Sequence, residues 1–125
     1  MGIPVSGMRI VNDEELFDLY YRKMGPAGSG LKVQKYLTSK GVFNKSLNKP
    51  ISTAGIWGSI NRYLVRNYQN PEIKNTVNKY YIDCGVDPMT DEEWLVTVSK
   101  KAKTCFSLLQ YRNFVRKHPD LPDYS

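Results

Sequence analysis

The sequence predicts an all-α protein, a compact bundle of about five to six helices. Three observations predict it. Apolar residues recur at three- and four-residue spacing in six stretches, as one face of a helix requires. Each stretch opens on a residue able to cap it: Asn12, Ser29, Ser52, Asn70, Thr90 and Ser107. Glycine or proline closes most of them.

Residues 1–11, with Pro4 and Gly7, read as an extended lead-in. Asn12 and Glu15 have the spacing of an N-cap and its third residue, and open a first helix. Its apolar face is Leu16, Phe17, Tyr20, Tyr21 and Met24, and Gly25-Pro26 stops it. Residues 27–30 form a turn. Ser29 caps a second helix that runs to about Lys40 and buries Leu31, the Val33–Gln34 side, Tyr36 and Leu37. Gly41 suits its C-terminal cap. Residues 42–51 are a polar loop rich in Asn and Lys, long enough for a short hairpin.

Ser52 caps a third helix, about residues 53–67, with Ile56, Trp57, Ile60, Tyr63 and Leu64 as its apolar stripe. Asn70-Pro71-Glu72 combines a cap, a proline at the first position and an early acid, and starts a fourth helix. Ile73, Val77, Tyr80 and Tyr81 face inward, and Gly85 ends it. Thr90 and Glu93 form a capping box for a fifth helix, which buries Trp94, Leu95, Val98, Ala102 and Cys105. Ser107 and Gln110 repeat that spacing for a sixth, with Leu108, Tyr111, Phe114 and Val115 inward and Pro119 at its end. The expected organisation is one helical domain, residues 12–120, made of units 12–67 and 70–118, with a loose tail at 121–125.

The net charge of +6 understates a strong asymmetry. Between Asp18 and Asp83 stand eleven Lys and Arg against one acid, Glu72. A second stretch, between Glu93 and Asp120, holds Lys100, Lys101, Lys103, Arg112, Arg116 and Lys117 and no acid. The acids gather near expected helix starts, where a carboxylate complements the helix dipole. Clustered Lys and Arg in a chain of pI near 9.3 are the electrostatic footprint of a phosphate-binding surface, and equally suit a solvated face.

Catalytic chemistry finds little to build on. His118 has no evident nucleophile beside it. Glu72-x-Lys74 is half of a nuclease motif without its upstream Asp. Residues 25–30 lack the spacing of a phosphate-binding glycine loop. One histidine and two unpaired cysteines make no metal site. Neither catalytic residue, metal nor cofactor is expected. Cys84 and Cys105 read as buried free thiols, which suits a reducing compartment. With no secretory leader and no apolar run of roughly 18 residues, the expectation is a cytoplasmic protein without a membrane partner.

The third helix is the first candidate reader. Opposite Ile56, Ile60 and Tyr63 it carries Gly55, Gly58, Ser59, Arg62 and Arg66. Small residues and a hydroxyl at its start, with Thr53, then two arginines one turn apart, suit entry into the major groove of DNA. The competing reading is that the glycines permit close packing within the protein. Lys32, Lys35, Lys45 and Lys49 are candidate phosphate contacts. The sixth helix offers a second surface, Gln110, Asn113, Arg116 and Lys117, after a tight junction at residues 104–107.

Leu31-Lys32-Val33-Gln34-Lys35-Tyr36-Leu37, Gly41-Val42-Phe43-Asn44, Lys49-Pro50-Ile51-Ser52, then Ile56 and Ile60 together resemble a helix-turn-helix. The similarity is to long-turn variants such as the DNA-binding region of large serine recombinases. It covers residues 31–66, and Asn48 stands where such turns often have glycine. The resemblance implies duplex DNA binding, as in a small regulator of transcription or an accessory to a mobile element, and nothing about recombination. RNA or single strands are the alternative, with Tyr68 and Phe43 able to stack on bases. An adaptor whose basic face meets an acidic protein is the third reading. A homodimer would suit paired half-sites.

Overall fold

The computed structural model describes residues 12–24, 30–40 and 52–125, and all regular structure among them is helical. Helix α1 spans Asp13–Asp18 and continues as wider turns over Leu19–Met24. Then come α2 (Gly30–Ser39), α3 (Thr53–Arg66), α4 (Pro71–Asp83), α5 (Asp91–Cys105) and α6 (Leu108–Lys117). The fold is all-α, as the periodicity predicts.

The caps form where the spacing places them. The Asn12 side chain accepts from the Glu15 amide at 2.8 Å, and Ser52 Oγ from the Gly55 amide at 3.0 Å. Asn70 accepts from the Glu72 amide at 3.0 Å, with Pro71 at the first helical position. Thr90–Glu93 and Ser107–Gln110 close both halves of their capping boxes. Gly85, at φ +81°, ends α4: its amide donates to Ile82 O and the Val86 amide to Tyr81 O, the paired bonds of a Schellman motif.

The chain divides into two compact units, residues 1–60 and 61–125. The division falls inside α3 rather than at residues 67–70. Beyond Ile60, α3 turns side chains to the later helices: Asn61 accepts from Lys101 Nζ, and Arg66 lies over Phe106. In the first unit, Leu16, Phe17, Val33, Leu37, Ile56 and Ile60 are buried. Tyr20 meets Trp57 edge-on at 4.6 Å. Glycine at position 30 lets α2 lie close to α3: a Cβ there would lie 2.7 Å from Trp57 Nε1, and the indole would have to shift.

In the second unit, the core is Leu64, Val65, Ile73, Val77, Trp94, Val98, Ala102, Tyr111 and Val115. The tail, expected to be loose, is pinned. Leu121 is buried, Tyr68 Oη donates to both oxygens of Asp120 at 2.9 Å, and Ser99 Oγ donates to Pro122 O at 2.5 Å. The Tyr124 amide donates to Tyr111 Oη at 2.9 Å. These partners lie on distant parts of the chain, so no local pattern marks them.

Other expected burials differ. Leu31 and Tyr36 are 52% and 43% exposed, because the buried row of α2 is Gly30, Val33 and Leu37, and Leu31 lies about 200° round the helix from Val33. Leu108 is 54% exposed: helical side chains lean toward the N-terminus, so that of the first residue points off the end of α6. Cys84 is exposed at the end of α4, and Cys105 is half-buried. Tyr80, Tyr81 and Leu95 are half-buried. Among the described residues, no helix is long and apolar enough to cross a membrane.

Candidate nucleic-acid interface

The expected reading face of α3 is largely covered. From Ile56 through Val65 no residue of the helix is exposed. Thr53 is half-buried at its start, beside the point where α2 abuts it. Gly55 is exposed, but Ser59 is half-buried and its hydroxyl donates to Asp13 at 2.6 Å. Arg62 is half-buried, and its charge acts on the Cys105 thiol. A helix that enters a groove needs a continuous polar face over its contacting turns. On α3 only Ala54, Gly55 and Arg66 are open.

Helix α6 is the opposite case. Leu109, Gln110, Arg112, Asn113, Arg116 and Lys117 are all exposed, while Tyr111 and Val115 anchor its inner side. Only Phe106 and Ser107 separate it from α5, and both are extended, so the chain turns sharply without a glycine. Gln110 is partly committed, since its Oε1 accepts from the Ser107 amide at 3.0 Å to close the capping box.

Arg66 joins this second surface. Its guanidinium sits 5.7 Å from the centre of the Phe106 ring, and Arg66, Phe106, Gln110, Asn113, Phe114 and Lys117 line one cleft of about 260 Å³. Phe106 and Phe114 form its aromatic part, 5.5 Å apart between ring centres, and Phe114 is backed by His118 at 4.5 Å. One residue of the α3 candidate set and three of the α6 set therefore meet at the same cleft, and none of the described residues that line it carries a carboxylate. The other flank of α6 is different. There Arg112 and Arg116 line a hollow of about 320 Å³ with Asp123, whose carboxyl is held below the usual range, first by its bonds to Ser125 and also by Arg112 and Lys103.

Deeper in, half-buried Cys105 lies within the electrostatic reach of Arg62, Arg66 and Lys101. Burial pushes its thiol pKa up against the pull of those cations, and burial pushes the Lys101 ammonium down. A protonated, half-covered thiol is a poor nucleophile. Tyr68 is only 5% exposed, with its hydroxyl held by Asp120, and offers no face to a base. Lys32 and Lys35 are exposed on α2. Lys45, Lys49, Phe43 and the turn of the helix-turn-helix resemblance lie outside the described residues, as do Gly25-Pro26, Ser29 and Gly41. Among the described residues no cluster of His, Cys, Asp and Glu could hold a metal ion.

Sequence reasoning missed Phe106 and the grouping of Arg66 with α6. The only local sign was an aromatic residue in the α5–α6 junction. Compared with protein-family models, with curated proteins and with solved structures, the chain gives no match.

Proposed function

We propose that this protein binds duplex DNA, with α6 as the contact helix of an α5–α6 helix-turn-helix-like pair and Arg66 beside it. The observation that carries the reading is the exposed row Asn113, Arg116 and Lys117, of which Asn113 and Lys117 share with Arg66 a cleft that no carboxylate lines among the described residues. Asn113 can pair with the edge of an adenine, and the arginines with guanine or phosphate. Arg116 and Lys117 also sit in the last turn of α6, where a cation is stabilised by the helix dipole before any ligand arrives. The exposed leucine Leu109 has an outlet on DNA too, against a thymine methyl group.

The test is fluorescence anisotropy with a labelled duplex and its matching single strand across a salt series. Duplex affinity should exceed single-strand affinity and fall steeply with salt as counterions are released. Arg116→Ala should reduce the slope of log affinity against log salt by about one, and Asn113→Ala should relax base preference with the slope unchanged. Absence of duplex binding at low salt sinks the proposal and favours an acidic protein partner for the same face.

A further inference from the structure

The cleft between Arg66 and α6 is more specialised than a phosphate contact needs. A phosphate requires cations and donors, whereas this cleft is floored by two half-buried aromatic side chains. Its rim carries two cations, Arg66 and Lys117, and the amides of Gln110 and Asn113. An apolar floor under a cationic and amide rim is complementary to a ligand that is flat and apolar on its faces, polar at its edge and anionic at one end. A nucleotide has that distribution, and a base still stacked within a duplex cannot present it. The volume of about 260 Å³ suits one such unit rather than a base pair.

We propose that the cleft holds a single unpaired nucleotide of the bound DNA. Its base lies against Phe106 and Phe114, its edge meets Asn113, and its phosphate sits between Arg66 and Lys117. Arg66 is already held over Phe106, so its guanidinium adds a second planar surface without first being ordered. This inference rests on the α6 reading above and names the DNA feature that site prefers: a bulge, a strand end or another place where one base is unstacked.

The experiment compares three labelled duplexes of the same flanking sequence: fully paired, with one unpaired adenine, and with one abasic bulge. Stacking one base on an aromatic side chain is worth enough to tighten binding about tenfold. The adenine bulge should therefore bind about tenfold more tightly than the paired duplex, and the abasic bulge should not. Phe114→Leu keeps the apolar volume but removes the π face, and should erase the preference while leaving paired-duplex affinity in place. Asn113→Ala, at an exposed position, should reduce the preference without disturbing the core, and serves if the Phe114 variant fails to fold. Equal affinity for all three duplexes overturns the inference and leaves the α6 reading standing. Equal gains from the adenine and abasic bulges assign the effect to backbone flexibility and overturn it as well. No binding to any duplex overturns both proposals.

Discussion

The second unit carries a buried hydrogen-bond chain whose direction is fixed by proton accounting. Pro122 O can only accept, so Ser99 Oγ spends its single proton there. The Tyr124 amide can only donate, and it donates to Tyr111 Oη. Tyr111 must then donate to Ser99 across their 2.7 Å contact. Ser99 and Tyr111 are both fully buried. Tyr111→Phe removes two hydrogen bonds, but the Tyr124 amide belongs to an exposed residue and regains water, so the cost is about 1–2 kcal/mol. Ser99→Ala is worse: it strands the buried Tyr111 O–H without an acceptor, at about 2–3 kcal/mol. The double variant removes that stranded donor, and should cost no more than Ser99→Ala alone. The coupling energy should therefore be about 1–2 kcal/mol. Urea unfolding followed by Trp94 fluorescence in a Trp57→Phe background measures all four species. For a chain of this length each kcal/mol should lower Tm by roughly 4 °C. Additive costs in the double variant would refute the chain as a connected unit.

Two further outcomes follow from particular contacts. Gly30→Ala places a Cβ 2.7 Å from Trp57 Nε1, and the indole is wedged against Tyr20, so thermal melting should show a loss of about 1–3 kcal/mol. Tyr68 should give a pH signature: burial first, then its bond to Asp120, raises its hydroxyl pKa well above the usual 10. The folded state keeps a proton that the unfolded state loses, so its contribution is intact below pH 10 and declines as pH rises beyond it. Stability measured by urea titration between pH 9 and about 11.5 should decline less steeply in Tyr68→Phe than in the parent chain.

The fold was legible where its determinants are local. A capping residue and its third neighbour are adjacent in sequence, so Thr90–Glu93 and Ser107–Gln110 could be read directly, as could Gly85 at the end of α4. Which stripe of a helix is buried depends on what lies across from it. Hence Leu31 and Tyr36, apolar but off the Val33–Leu37 row, were misplaced. The exposure of α3 was misjudged for a related reason. Wheel geometry identified its apolar face correctly in Ile56 and Ile60, but could not tell that the polar face would be covered too, with Ser59 bound to Asp13. The candidate cleft needs Arg66 and Lys117 together, residues joined only by tertiary packing, and the pinned tail depends on Ser99 and Tyr111, whose polar groups give no local hint of a distant partner.

The distribution of charge along α5 bears on how such a protein would meet a polyanion. Its first turn carries Asp91, Glu92 and Glu93, and its last turn Lys103. Lys74 pairs with Asp91, yet Glu92 and Glu93 remain exposed on that turn. At 1.5 Å per residue, Asp91 and Cys105 stand about 21 Å apart along the helix, and Cys105 adjoins the junction into α6. At physiological ionic strength the screening length is about 8 Å, so the first turn of α5 does not cancel the field at its last turn, where Lys103 stands. At low salt the screening length rises to about 30 Å and both ends act at once. The far end of α6 does not escape those acids, because Asp120, three residues past Lys117, lines one hollow with Asp91 and Lys74. The acid-free run between Glu93 and Asp120 thus returns in space to the acids that precede it, which the sequence alone does not reveal.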